Sequence, residues 1–113
     1  MPRDRESLLD ILEAARLARQ YLEGRTREQF LADVQLQDAV IRRLEIMGEA
    51  ARRASDEARE QCPTLPWADM VAMRNIMIHQ YDHVDMALVW DAVQQDLPRV
   101  VAALEALFPP EPA

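Results

Sequence analysis

The chain contains no lysine. All 13 of its basic residues are arginine, and they face 20 acids, for a formal net charge of −7 and a pI near 4.7. That balance excludes a general nucleic-acid-coating protein, which would be basic, but leaves room for a small basic cleft on an acidic body. Arginine also suits buried ion pairs and phosphate contacts better than lysine does. Glycine is nearly absent, with 2 residues in 113. No Gly-rich phosphate loop can be built from so few, and β-turn signals are missing with them. The single cysteine, Cys62, excludes an internal disulfide and a multi-cysteine zinc site. It reads as a small packed residue at a helix end. No uninterrupted apolar run reaches membrane-spanning length. The opening "MPRDRESLLDILEAARL" carries acids throughout its apolar pattern, unlike a signal peptide. The expectation is a cytoplasmic chain with no membrane association. Histidine is equally scarce: only His79 and His83, both inside "MRNIMIHQYDHVD".

What is present is an apolar half of the composition, arranged at long period. The pattern predicts an all-α fold, one domain over residues 1–108 with a flexible tail at 109–113. A chain this short leaves much of its surface unburied and leans on a partner or a second copy. Five helices are expected. The first spans about Asp4–Glu23, with Leu8, Ile11, Leu12, Ala15, Ala18 and Leu22 on one face and Gly24 as its stop. Thr26 with Gln29 three residues on reads as a capping box opening a short helix, Arg27–Asp33. The third runs over Gln35–Gln61, with Leu36, Val40, Leu44, Met47, Ala51, Ala54 and Ala58 on one stripe. Asp38/Arg42 and Glu49/Arg53 are i,i+4 pairs on it, and mid-helix Gly48 permits close approach of another helix. The fourth covers Pro66–Tyr81, followed by the short connection "YDHVD". The fifth covers Val84–Phe108, with Trp90, Val93, Leu97, Val101 and Leu104 facing inward and a kink at Pro98. Met70, Met73, Met77 and Met86 read as core or interface packing.

The charge is uneven. From Pro63 onward the only basic residues are Arg74 and Arg99, against seven acids. Arg74 therefore stands nearly alone beside Asn75, His79 and Tyr81. On a helix Asn75 and His79, four apart, share a face, and Arg74 lies roughly 140° from His79. Arginine and histidine together can cut RNA without a metal. Imidazole titrates near neutrality and can move a proton, while guanidinium can hold the charge that builds on the phosphate. One histidine does one of those jobs at a time, so a two-fold dimer bringing two such helices together would complete a site. The plainer alternative is a histidine that simply serves its helix end. His79 and His83 as a metal pair lack a third ligand, and no metal or cofactor is expected. Arg42, Arg43, Arg52 and Arg53 line either an RNA path or a solvated, salt-bridged face.

"RNIMIHQY" matches the Arg-x4-His-x-Tyr motif of HepT-like toxins in the HEPN superfamily. The blocks "LLDILEAARLARQYLEG", "QDAVIRRLEIMGEAARRAS", "PWADMVAMRNIMIHQYDHVD" and "VWDAVQQDLPRVVAALEAL" resemble that family in order, over nearly the whole chain. The resemblance implies a HEPN-like helical bundle forming a two-fold dimer, and a toxin that is a metal-independent endoribonuclease. It further implies Arg74 and His79 as the catalytic pair in the dimer cleft, with Asn75 supporting. The substrate would be tRNA or mRNA. The implied partner is an MntA-like nucleotidyltransferase antitoxin that places AMP on the motif tyrosine, here Tyr81. Two other readings stay open: a non-catalytic helical module that binds a nucleotidyltransferase or nucleotide, and a structural adaptor.

Overall fold

A computed structural model describes residues 3–109; the tail expected at 109–113 lies outside them from residue 110 on. The described residues form helices joined by short connections, with no strand among them. Helix α1 spans Asp4–Leu22, α2 Arg27–Ala32, α3 Val34–Arg53, α4 Asp56–Gln61 and α5 Trp67–His79. A 3₁₀ turn covers Tyr81–His83. The last rod is built from α6 (Met86–Asp91), a π segment (Ala92–Asp96) and α7 (Leu97–Leu107). The principal packings are α1 on α3, α3 on α5 and α1 on α7, so α3 sits between the first helix and α5.

The apolar stripes read from the sequence form the core. Leu8, Ile11, Leu12, Ala15, Ala18 and Leu22 of α1 are buried against Val40, Leu44, Met47 and Ala51 of α3 and Val93, Leu97, Val101 and Leu104 of the last rod. Met70 and Met77 join that core, and Met73 and Met86 pack on its edge. Gly24 takes a φ of +75° where α1 ends, a left-handed conformation that glycine adopts without steric cost. The expected capping box at α2 is formed: the Thr26 hydroxyl accepts from the Gln29 backbone N–H at 3.1 Å, and the Gln29 side chain accepts from the Thr26 N–H at 2.9 Å.

Three expectations need correction. The third helix does not run to Gln61. It stops at Arg53, and Ser55 caps a separate helix, its hydroxyl accepting from the Ala58 N–H at 3.2 Å. The cap is anchored from outside, because the Ser55 backbone N–H and hydroxyl both donate to the Asp4 carboxylate of α1. Asp56 and Glu57 in the first turn favour the new helix start. Second, the last rod is not α-helical all the way to Pro98; it passes through a π segment in which the Leu97 N–H reaches the Ala92 carbonyl. Proline enters at the first turn of α7, where its missing N–H costs little. Third, α5 ends at His79, so Tyr81 opens the 3₁₀ turn rather than closing the helix. The last rod likewise starts at Met86 instead of Val84, capped by Asp85, which accepts from the Ala87 N–H at 2.9 Å.

Candidate active site

Helix α5 is apolar on nearly every side, yet it buries only Trp67, Met70 and Met77 fully. Ile76 and Ile78 remain 47% and 43% exposed. Its buried edge lies along α3, and the two helices come close at Gly48. A β-carbon added there would stand 2.3 Å from the Arg74 Cβ and 2.7 Å from the Met70 carbonyl oxygen. Gly48 is thus the notch into which the stem of Arg74 fits, and the close helix approach read from the sequence is that of α5.

From the notch the Arg74 side chain runs out to the surface, 22% exposed. One terminal nitrogen pairs with the Glu49 carboxylate at 3.1 Å, and the other donates to the Asn75 Oδ1 at 2.9 Å. Its Nε is buried without a partner among the described residues. Glu49 is shared. The Arg52 guanidinium donates to both of its oxygens, at 2.9 and 3.3 Å. The Arg52 hydrogen bond holds the Glu49 carboxyl below the usual glutamate range; burial opposes it and outweighs any single neighbouring charge, and the charges of Arg52, Arg74 and Arg53 add to the lowering. The same pairing raises Arg52. The expected Glu49/Arg53 pair is not formed, because Arg53 turns to Asp10 of α1 at 3.1 Å.

A shallow groove of about 320 Å³ opens beside Arg74, lined by Asp10, Arg42, Glu45, Glu49, Arg53 and Ile78 among others. Each arginine in it has an acid: Arg42 lies 4.0 Å from Glu45, and Arg53 and Arg74 are paired as above. Arg43 leaves this surface and donates to the Tyr21 hydroxyl at 3.2 Å. The four arginines of α3 are therefore divided between paired positions on the groove side and a link to α1.

The structure brings Arg74, Asn75 and Glu49 together and leaves His79 apart from them. His79 is exposed at the end of α5, with no side-chain hydrogen bond or ion pair among the described residues. Asn75 is also exposed, one turn earlier on the same helix. The Tyr81 backbone opens the 3₁₀ turn two residues on; its side chain lies outside what is described. His83 is exposed at the end of that turn. No group of three or more His, Cys, Asp or Glu among the described residues gathers as a metal site. No described helix is long and apolar enough to cross a membrane. Sequence reasoning missed Glu49 as the partner of Arg74. No local signal marks the pair, because its members lie on different helices 25 positions apart.

The chain matches the ribonuclease HepT-like family over residues 11–107. It is 39% identical to RNase MJ1380 of Methanocaldococcus jannaschii over 87% of this chain and 90% of that protein. It is 37% identical to the probable ribonuclease HepT of Thermococcus cleftensis, over 91% of this chain and 94% of that one. RNase TTE0752 of Caldanaerobacter subterraneus subsp. tengcongensis is 29% identical over 98% of this chain and 99% of its own length. No solved structure matches. With the family match spanning most of the helical bundle, the chain belongs to the HepT-like ribonucleases of the HEPN type.

Proposed function

We propose that the protein is the toxin of a toxin–antitoxin pair, a metal-independent endoribonuclease whose cutting residues are Arg74 and His79 in a two-fold dimer cleft. The observation that carries this reading is the seating of Arg74. The one arginine of α5 is wedged at Gly48 and fixed by Glu49 and Asn75, on the helix that ends in an exposed His79 with no side-chain partner among the described residues. The exposed Ile76 and Ile78 on the same helix support a second copy covering it, since apolar side chains beside a polar site favour association.

In the dimer, one imidazole takes the proton of a ribose 2′-OH and the 2′-oxygen attacks the adjacent phosphorus. The bond from phosphorus to the 5′-oxygen breaks, the other imidazole protonates that oxygen, and a 2′,3′-cyclic phosphate remains. Arg74 bears the charge on the non-bridging oxygens. Asn75 supports it by accepting one of its N–H groups. Control falls to an MntA-like nucleotidyltransferase. The Tyr81 Oη attacks the α-phosphorus of ATP, pyrophosphate leaves and the phenolic proton is lost. The resulting phosphodiester adds charge and bulk two residues from His79, where it competes with RNA phosphate for Arg74. The substrate is tRNA or mRNA in the cytoplasm.

The test is cleavage of RNA in EDTA by wild type, Arg74→Ala and His79→Ala, with toxicity of each on expression. Cyclic-phosphate or 3′-phosphate ends from wild type alone are expected; equal toxicity of all three sinks the assignment. Ile76→Glu should yield a monomer by sedimentation that keeps its helicity and loses cleavage. Co-expression with the nucleotidyltransferase should add the mass of one or more AMP units at Tyr81. A dimer that binds that partner but never cuts RNA would instead favour the non-catalytic module.

A further inference from the structure

A second, larger groove lies away from Arg74. It encloses about 670 Å³ between the C-terminal end of α1 and the π segment of the last rod. Its polar lining includes Arg16, Arg19, Arg25 and Gln94, and its aromatic lining is Trp90. Two acids also line it. Glu105 is held by Arg16 at 3.3 Å; Glu23 is exposed. Arg19 and Arg25 are exposed and have no ion pair or side-chain hydrogen bond among the described residues. This is the reverse of the Arg74 groove, where each arginine has an acid. On a chain of net charge −7, two unpaired guanidinium groups at one groove are a local excess of positive charge.

The rest of the lining is set by the fold. Trp90 is half-buried, its ring packed 5.9 Å from Phe30 at 35°, so it offers a fixed aromatic surface. Val93 and Gln94 reach the groove from the π segment that carries the chain into Pro98, and π turns recur at functional sites. Gly24 turns the chain so that Arg25 also faces the groove. The groove stands at the same end of the bundle as His79. Arg43 bonds Tyr21, which lies between Arg19 and Arg25 in α1 and its exit. The adjacent Arg42 shares the other groove with Ile78, the neighbour of His79.

We propose that this groove is an accessory subsite for single-stranded RNA, in which Trp90 stacks a base and Arg19 and Arg25 take flanking phosphates. Stacking on a fixed aromatic ring is tolerant of sequence, and the arginine fork suits phosphate. The subsite would supply the affinity that an acidic body otherwise withholds. It rests on the ribonuclease reading, because its purpose is to hold a strand that is cut at the other side of the same bundle end.

The experiment compares wild type with Arg19→Glu/Arg25→Glu, both also measured in a His79→Ala background for binding. Fluorescence anisotropy with a labelled single-stranded oligonucleotide should show affinity falling by roughly tenfold or more, and the slope of log K against log salt shrinking by about 1.4, two phosphate contacts' worth. On the His79-intact enzymes, KM for long RNA should rise while kcat holds, and a dinucleotide substrate should be cut equally by both. Trp90→Leu should weaken oligonucleotide binding without altering the salt slope. If the double variant binds and cuts long RNA like wild type, the subsite is wrong and the ribonuclease reading stands. If binding falls as expected but wild type cuts no RNA, the ribonuclease reading fails and the subsite stands. Loss of nucleotidyltransferase binding with RNA binding intact would also overturn it, marking the groove as a protein-docking surface.

Discussion

Replacing Gly48 with alanine tests the link between packing and site most directly. The added methyl would lie 2.3 Å from the Arg74 Cβ and 2.7 Å from the Met70 carbonyl oxygen. Non-bonded carbons settle at roughly 3.5–4.0 Å, so the helices must part by about 1 Å or more. Neither contact is the far end of a flexible side chain, so no rotamer change relieves it. Overpacking of this kind costs about 1–3 kcal/mol, offset by about 1 kcal/mol because alanine is the better helix former. The net loss is then at most about 2 kcal/mol, a Tm fall of several degrees for a domain of this size. Activity should suffer far more. A misplacement of about 1 Å at a catalytic group can cost on the order of 100-fold. The expected result is a folded protein with RNA cleavage down by about two orders of magnitude, chiefly in kcat. Wild-type melting together with wild-type kcat would refute the claim that Gly48 sets the position of Arg74.

Arg74→Lys should fold normally yet lose about 100-fold or more of RNA cleavage. An ammonium can satisfy Glu49 or Asn75 but has no planar fork left for phosphate. The Glu49 carboxyl, held low, keeps its charge and its grip on Arg74 above the usual glutamate range and loses both as pH falls through its depressed value. A carboxyl NMR titration should move upward more in Arg52→Ala than in Arg74→Ala, since the Arg52 hydrogen bond is the larger cause; the reverse order would contradict the arrangement. Ser55→Ala removes the α4 cap and should cost about 1 kcal/mol in denaturant melts. It should also let the Asp4 carboxyl rise, because the Ser55 hydroxyl is the main group holding it down.

The sequence carried the α1 and α3 stripes, the α2 capping box and the notch at Gly48, because each depends on residues within a few positions of one another. It also marked Arg74 as unusual, since charge counts need no structure. The break at Ala54–Ser55 was less visible. "ASDEA" holds a cap signal, but the alanine-rich pattern continues through it, and the cap is secured by Asp4, 51 residues away. Pro98 was read correctly as a disturbance of the last rod, but the π segment that precedes it was not foreseen. Whether a lost donor bends a helix or is absorbed by a wider turn depends on the packing of Ala92, Val93 and Leu97, all buried. Glu49 was assigned to Arg53 by the i,i+4 rule, and tertiary neighbours redirected both residues.

The Arg74 arrangement also bears on how an acidic protein can hold RNA. A guanidinium has five N–H donors. Glu49 and Asn75 engage one terminal nitrogen each, so a second N–H on each remains, along with the buried and unpartnered Nε. A buried donor without a partner costs about 1–3 kcal/mol, which is recovered when something accepts from it. Glu49 is itself divided between Arg52 and Arg74, so its hold on Arg74 is weaker than that of an undivided pair. Arg74 is thereby fixed in direction without being fully neutralised. On the proposed reading, an incoming phosphate would take the remaining terminal N–H groups without having to expel Glu49. On these terms Glu49 positions the arginine, and its negative charge would limit phosphate affinity at the proposed cutting site, which is why a separate Arg19/Arg25 subsite would matter to this chain.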